Sequence, residues 1–305
     1  MVSELYAIES LNAEVIALEN SKTYQDGLRY DFYKNVVKKH KVVRFLAKNM
    51  FNKARMVHEP TPSDNWDEVE WRKMLHYGNP DQRVAIYTCI TGGYDTVKEP
   101  MFRSPNADYI LYSDDPDILK GQESAWEYRP IPEITGLSGN SKINRYIKMH
   151  PFELFEKEYD YAIYLDGTVR PVSDITVLTE LIDSEVGLAI HNHRYRDCIY
   201  EEQQVCEAIG KGNAEQLKAQ TERYRGKGFP EKFGLAECTV LVTDLKNGTA
   251  KDLYAAWWDE FCRSESGRDQ MSFPYVVWKS GIRMEKICTL GKNLYRNPKI
   301  RIYSH

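Results

Sequence analysis

Apolar residues follow two different patterns along this chain, and the change between them falls near residue 80. Before it, apolar positions recur at helical spacing. After it, short apolar runs alternate with amphipathic stretches. Ser3–Asn20 carries Leu5, Ile8, Leu11, Val15, Ile16 and Leu18 among glutamates and predicts an amphipathic helix. Residues 34–55 contain no Asp or Glu and set Val36, Val37, Val43, Leu46, Ala47, Met50 and Phe51 against many Lys and Arg. Such a basic amphipathic helix can lie on an anionic membrane surface; the plainer alternative is a helix packed on the domain with its basic face in water. The Pro-rich stretch 58–65 reads as a linker, and Ser63 or Asp64 can cap a short helix through Trp66–His76. Residues 1–80 are therefore expected to be a helical region and linker, and residues 81–305 a separate domain.

The pattern after Arg83 is that of an α/β domain. Val84–Ile90, Tyr109–Tyr112, Tyr161–Leu165, Val186–Ile190 and Thr239–Thr243 are strand-length apolar runs of the kind buried on both faces. Trp126–Ile131 reads as an edge strand. Helices are expected after Ser141, over Phe152–Tyr159, Ser173–Ile182, Cys198–Ile209, Ala214–Tyr224 and Leu253–Phe261, and from Asp269 through Trp278, with a short strand in the C-terminal tail.

Composition narrows the class. Hydrophobic residues at 42% and charged residues at 28% describe a globular protein. A net charge of −4 gives no basic field for nucleic acid. The six cysteines form no CxxC pair and no zinc spacing, which suggests reduced thiols in a cytosolic protein. The first residues lack a secretory apolar region, and no run reaches membrane-spanning length. A cytoplasmic protein is expected, peripheral on the inner face of the membrane if 34–55 binds lipid.

Chemistry concentrates where the apolar runs end, the edge at which open α/β sheets hold ligands. Tyr161–Leu165 ends at Asp166-Gly167, where Asp166 either holds a metal or a nucleotide donor or simply makes a turn. Val84–Ile90 ends at Thr91-Gly92-Gly93-Tyr94-Asp95, which lets backbone approach a ligand but is neither GxGxxG nor a Walker sequence. Asp114 follows the next strand and suits a ribose or base, or an Asx turn. Lys142, Arg145 and Lys148 can face a diphosphate from one side of a helix, or lie in solvent. His191 and His193 are candidate metal ligands beside Asp166. Glu237 precedes the last strand, and Asp269 opens a helix as an acid–base group or an N-cap.

In this order, Tyr87–Asp95, Tyr164–Gly167, His191–Arg194 with Tyr200–Glu202, and Arg268–Phe273 resemble GT-A-type nucleotide-sugar glycosyltransferases. More narrowly, they resemble the domain-of-unknown-function 616 group, over roughly residues 83–290. The resemblance implies a GT-A-like, Rossmann-related fold: a mixed, mostly parallel sheet flanked by helices, here with an N-terminal helical appendage. It implies a donor site at Tyr87, Thr88, Thr91, Gly92, Gly93, Tyr94 and Asp114, with Lys142 and Arg145 near the diphosphate and Asp166-Gly167 beside it. Asp269, then Glu237, would be the base of an inverting enzyme. The family pattern is usually Asp-x-Asp, and Asp166-Gly-Thr168 has one carboxylate. Either Asp166 works with His191 or His193 to hold Mn²⁺ or Mg²⁺, or protein cations replace the metal. The implied reaction moves a sugar from a nucleotide-diphosphate donor, a UDP-sugar favoured, to a saccharide or glycolipid hydroxyl; a single cytosolic-type domain with a basic helical appendage adds the expectation of a bacterial cell-surface polysaccharide acceptor, as in capsule or O-antigen synthesis. A metal-dependent hydrolase and a non-catalytic nucleotide- or sugar-binding module are the rivals, though GxSxG and HExxH are absent. Homo-oligomerisation is left open.

Overall fold

The computed structural model describes residues 2–24, 26–28 and 69–303. The basic stretch 34–55 and the linker 58–65 lie outside the described residues. The described part of the helix expected over Trp66–His76 is a 3-10 turn at Trp71–Met74.

Six strands form one sheet: β1 (Val84–Ile90), β2 (Ala107–Ser113), β3 (Trp126–Pro130), β4 (Tyr161–Leu165), β6 (Leu188–Asn192) and β7 (Ala236–Asp244), in the order β3-β2-β1-β4-β7-β6. β1, β2, β3 and β4 run parallel, whereas β7 is antiparallel to both β4 and β6. The sheet is thus mixed and mostly parallel, as expected. β1 and most of β4 are buried because each is covered on both faces. Side chains alternate between two cores. Ala85, Tyr87 and Cys89 pack in one layer with Ile147, Trp257 and Phe273, and Val84, Ile86 and Ile90 in the other with Ile175, Leu290 and Ile300.

The first layer is built from α2 (Asn140–Met149), α3 (Pro151–Phe155), α6 (Gly248–Ser264) and α7 (Asp269–Lys279). α4 (Ile199–Ile209) and α5 (Ala214–Gly226) pack against α7. Because β7 is reversed, its first residues lie at the same rim as the last residues of β1, β2, β4 and β6. Gly92, Asp114, Asp166, His193 and Glu237 share that rim.

Two expectations changed. Ser173–Ile182 is not an α-helix; its described core is a 3-10 segment at Thr176–Leu181. The Asp174 carboxylate accepts from the Thr176 amide at 3.0 Å and from the Thr176 and Ser104 hydroxyls at 2.7 Å, bonds that compete with helical ones. A small second sheet, β5 (Val169–Pro171) with β8 (Ile300–Ile302), supplies the partner of the tail strand.

The N-terminal helix α1 (Val2–Glu19) docks beside this small sheet. The Asn12 amide donates to the carbonyls of Pro298 and Ile300, at 2.8 and 3.0 Å. The Glu9 carboxylate accepts from Lys299 Nζ at 2.7 Å and from the Ser173 hydroxyl, and Lys299 is fully buried. Glu9→Ala would strand that ammonium, so it is expected to lower unfolding free energy by about 3–5 kcal/mol in urea titration. A loss below about 0.5 kcal/mol, the size of an ordinary surface substitution, would mean that α1 does not depend on this pair.

Candidate active site

At the end of β1 the chain turns through Gly92 and Gly93, both left-handed with φ of 63° and 61°. The Gly92 amide donates to both Asp114 oxygens at 3.0 Å. A Cβ at Gly92 would stand 2.0 Å from Asn140 Nδ2. The Thr91 hydroxyl donates to the Asn140 carbonyl at 3.2 Å, so the turn, Asp114 and the start of α2 are fastened together. Tyr94 is 69% exposed. Gly167 is equally constrained, since a Cβ there would meet Asp95 Oδ2 at 2.8 Å. Asp95 ends the Thr-Gly-Gly-Tyr-Asp motif, yet its nearness to Asp166-Gly167 could not be read from spacing.

Two expected donor contacts fall inside the fold. Tyr87 is buried among Phe155 and Tyr164, and its hydroxyl donates to the Lys148 carbonyl at 3.1 Å. Thr88 is buried, with no hydrogen-bond partner for its hydroxyl among the described residues. Strand alternation explains both, because the interior of β1 is covered on each face. Lys142 is exposed on the first turn of α2, beside Cys262 rather than with the cations below.

The charged centre joins α2, β4 and α7. Asp269 is buried as the first residue of α7, after an Arg268 N-cap. Lys148 Nζ lies 2.6 Å from Asp269 Oδ2 and 3.7 Å from Asp166 Oδ1, and Arg145 Nε lies 3.2 Å from Asp269 Oδ1. The Lys148 ammonium also sits 5.2 Å from the centroid of the Tyr164 ring. The Arg145 guanidinium donates to Asn144 Oδ1 at 2.5 Å, and Asn144 Nδ2 donates to the Cys89 carbonyl at 2.6 Å. Burial alone would raise the Asp269 carboxyl, but Arg145 and Lys148 overcome it and hold the group well below the usual carboxylate range.

A second carboxylate lies beside this centre. Glu237, with a side chain 21% exposed, accepts from the Thr239 hydroxyl at 3.1 Å. Burial pushes Glu237 up to about 7, the Thr239 hydroxyl opposes this, and the charges of Glu202 and Asp166 add to the rise. His193 Nε2 stands 3.8 Å from Glu237 and 3.9 Å from Glu202, and Glu202 is anchored by Arg196 Nε at 2.5 Å. Glu202 was read from sequence only as part of the Tyr200–Glu202 motif; its place beside His193 and Arg196 comes from the packing of α4 (Ile199–Ile209) and the loop before it.

The proposed metal ligands do not converge. The amides of Tyr195 and Arg196 donate to His193 Nδ1 at 3.3 and 3.0 Å, which leaves the neutral ring's proton on Nε2, facing two carboxylates. His191 is fully buried, with Nε2 3.2 Å from Asn297 Nδ2. Burial pushes His191 down to about 3 and His193 down to about 4. Neither ring turns a lone pair toward Asp166, whose nearest ion partner is an ammonium. Among the described residues no group of three or more His, Cys, Asp or Glu could hold a metal ion. Asp166, His191 and His193 therefore do not fit a divalent cation.

Comparison with known proteins bears on the same residues. The family described as TOD1/MUCI70, glycosyltransferase-like domain, matches residues 137–304, more than half of the chain. That span holds Arg145, Lys148, Asp166, Glu237 and Asp269, but not the Gly92-Gly93 turn or Asp114. Among solved structures, the apo structure of the bifunctional glycosyltransferase WbbM aligns with 66% of this chain and 38% of its own, at 11% identity and a TM-score of 0.40. Among curated proteins, the Ypt/Rab-type GTPases Rab7 of Neurospora crassa and avaA of Emericella nidulans are each 40% identical over 65 residues, 21% of this chain. The chain spans only 31% of the length of those relatives. The chain contains no Walker phosphate loop.

Proposed function

We propose, for a chain that belongs to the TOD1/MUCI70 glycosyltransferase-like family, that the rim transfers a sugar from a nucleotide-diphosphate donor to a saccharide or glycolipid hydroxyl. The observation that carries this reading is the ion cluster of Arg145, Lys148, Asp166 and Asp269, drawn from three elements to the ligand-binding edge of the sheet. Glycosyl transfer needs positive charge at the departing diphosphate and a base at the attacking hydroxyl. Arg145, part-exposed beside Asp269, supports the first requirement. Glu237 supports the second better than Asp269 does. Both Asp269 oxygens are engaged by cations, which makes it a weak base, whereas Glu237 gains and loses a proton near neutral pH. A positioned carboxylate base belongs to an inverting transfer.

The Gly92-Gly93 turn with Asp114 suits the nucleoside end of the donor, and the amide-bound Asp114 carboxylate offers acceptor oxygens to a ribose. Asp166 is one-third exposed and orients Lys148, so Asp166→Ala is expected to keep the fold and lower turnover by about 10²-fold through misplacement of the diphosphate cations. Turnover would be followed with a panel of nucleotide sugars, and donor binding by thermal shift. If both stay at wild-type levels, Asp166 has no part in the site.

A further inference from the structure

We infer that Lys148 is the resident counter-cation of this site, standing between Asp166 and Asp269 so that a diphosphate is taken up without a divalent metal, a role that rests on the nucleotide-sugar reading for its ligand. Three features place the ammonium there. It is buried and lies 2.6 Å from one carboxylate and 3.7 Å from the other. The face of Tyr164 lies 5.2 Å from it. Its backbone carbonyl accepts the buried Tyr87 hydroxyl at 3.1 Å, which fixes the last turn of α2 under the side chain.

A divalent ion would have to enter between these carboxylates. It would displace a buried ammonium from a charge-assisted hydrogen bond and then stand beside Arg145, which is held against Asp269. Arg268 adds a third cation near Asp269, and its buried Nε has no hydrogen-bond partner among the described residues. Glu202 and Glu237 lie near Arg268 and offset that charge, while Lys148 and Arg145 match Asp166 and Asp269, so the two central carboxylates are already neutralised and offer a metal no unmatched pair. The two histidines that might have reversed this balance have their lone pairs turned elsewhere, as described above.

The test uses the full chain with two probes, Mn²⁺ and pyrophosphate. Electron paramagnetic resonance should leave the Mn²⁺ signal of the wild-type mixture at its free-ion level. Pyrophosphate should raise the melting midpoint equally in EDTA and in Mn²⁺. Lys148→Met should abolish the shift in EDTA and recover part of it in Mn²⁺, which then neutralises the vacated carboxylates. Lys148→Arg should retain the metal-independent shift. Stoichiometric Mn²⁺ binding by the wild type that disappears in Asp166→Ala overturns the role of Lys148, as does a pyrophosphate shift that requires Mn²⁺. Absence of any pyrophosphate shift overturns the diphosphate reading instead, while the Mn²⁺ measurement still decides whether the carboxylates are closed to metal.

Discussion

Glu237→Gln is expected to lower sugar transfer by about 10²–10⁴-fold, the range that general-base catalysis contributes, while donor binding stays near wild type. Gln has nearly the same shape and keeps an acceptor for the Thr239 hydroxyl, so only proton acceptance is lost. The wild-type rate should rise with pH through about 7 as Glu237 loses its proton, and this limb should vanish from the residual rate of the variant. Stability moves in the opposite direction. A carboxyl that is raised in the fold favours the folded state while protonated. Its contribution is full below the ordinary value of 4.5 and is lost as pH rises to about 7. The loss amounts to about 3 kcal/mol at 1.36 kcal/mol per pH unit. Urea titrations at pH 5 and pH 8 should therefore show a smaller decline for Glu237→Gln than for wild type. A rate that keeps its limb near pH 7 in the variant would assign the proton to another group.

Asp269→Asn should be the most destabilising substitution at the rim, at about 3–5 kcal/mol, because it leaves the buried Lys148 and the part-buried Arg145 against a neutral amide. The sign again follows from the shift. A carboxyl depressed in the fold stabilises it at every pH above the unfolded value, and that stabilisation is lost only as pH falls through the depressed one. The deficit of the variant should accordingly be constant across neutral pH. Adding Lys148→Met removes one stranded charge, so the double variant should be more stable than the sum of the two single losses, by the coupling of about 0.5–3 kcal/mol typical of contacting residues. Strict additivity in urea titration would rule out the buried pair. If Asp269 were the catalytic base, its loss would also remove the limb near pH 7; with Glu237 in that role, the limb survives.

The strands were legible because their signal is local. Val84–Ile90 and Tyr161–Leu165 are unbroken apolar runs ended by Gly or Asp, and the structure keeps both boundaries. The edge strand at Trp126 was visible through its polar alternation. β5 was not, because three residues have no periodicity and their partner lies 130 residues away. At the site, the gathering of Asp166, Asp114 and Gly92-Gly93 on one rim followed from strand ends alone, whereas Glu237, at the start of its strand, joins them only because β7 is reversed. Tyr87 misled because motif residues in the interior of a doubly covered strand face the core. The Lys148–Asp269 contact joins residues 121 apart and depends on how α7 packs over α2. The direction of the His193 proton is set by two backbone amides, which no side-chain pattern reveals.

The clasp between Glu9 and Lys299 joins positions 290 apart in sequence. A contact of such separation pays its closure entropy only after the intervening sheet exists. Such a contact is expected among the last steps of folding rather than in the nucleus, so Glu9→Ala should speed unfolding and leave the folding rate nearly unchanged in a chevron measurement. Interactions that form after the transition state act on the rate of unfolding and leave the rate of folding nearly unchanged. The α1 helix is thus a brake on opening: its attachment lengthens the lifetime of the assembled sheet without guiding its assembly.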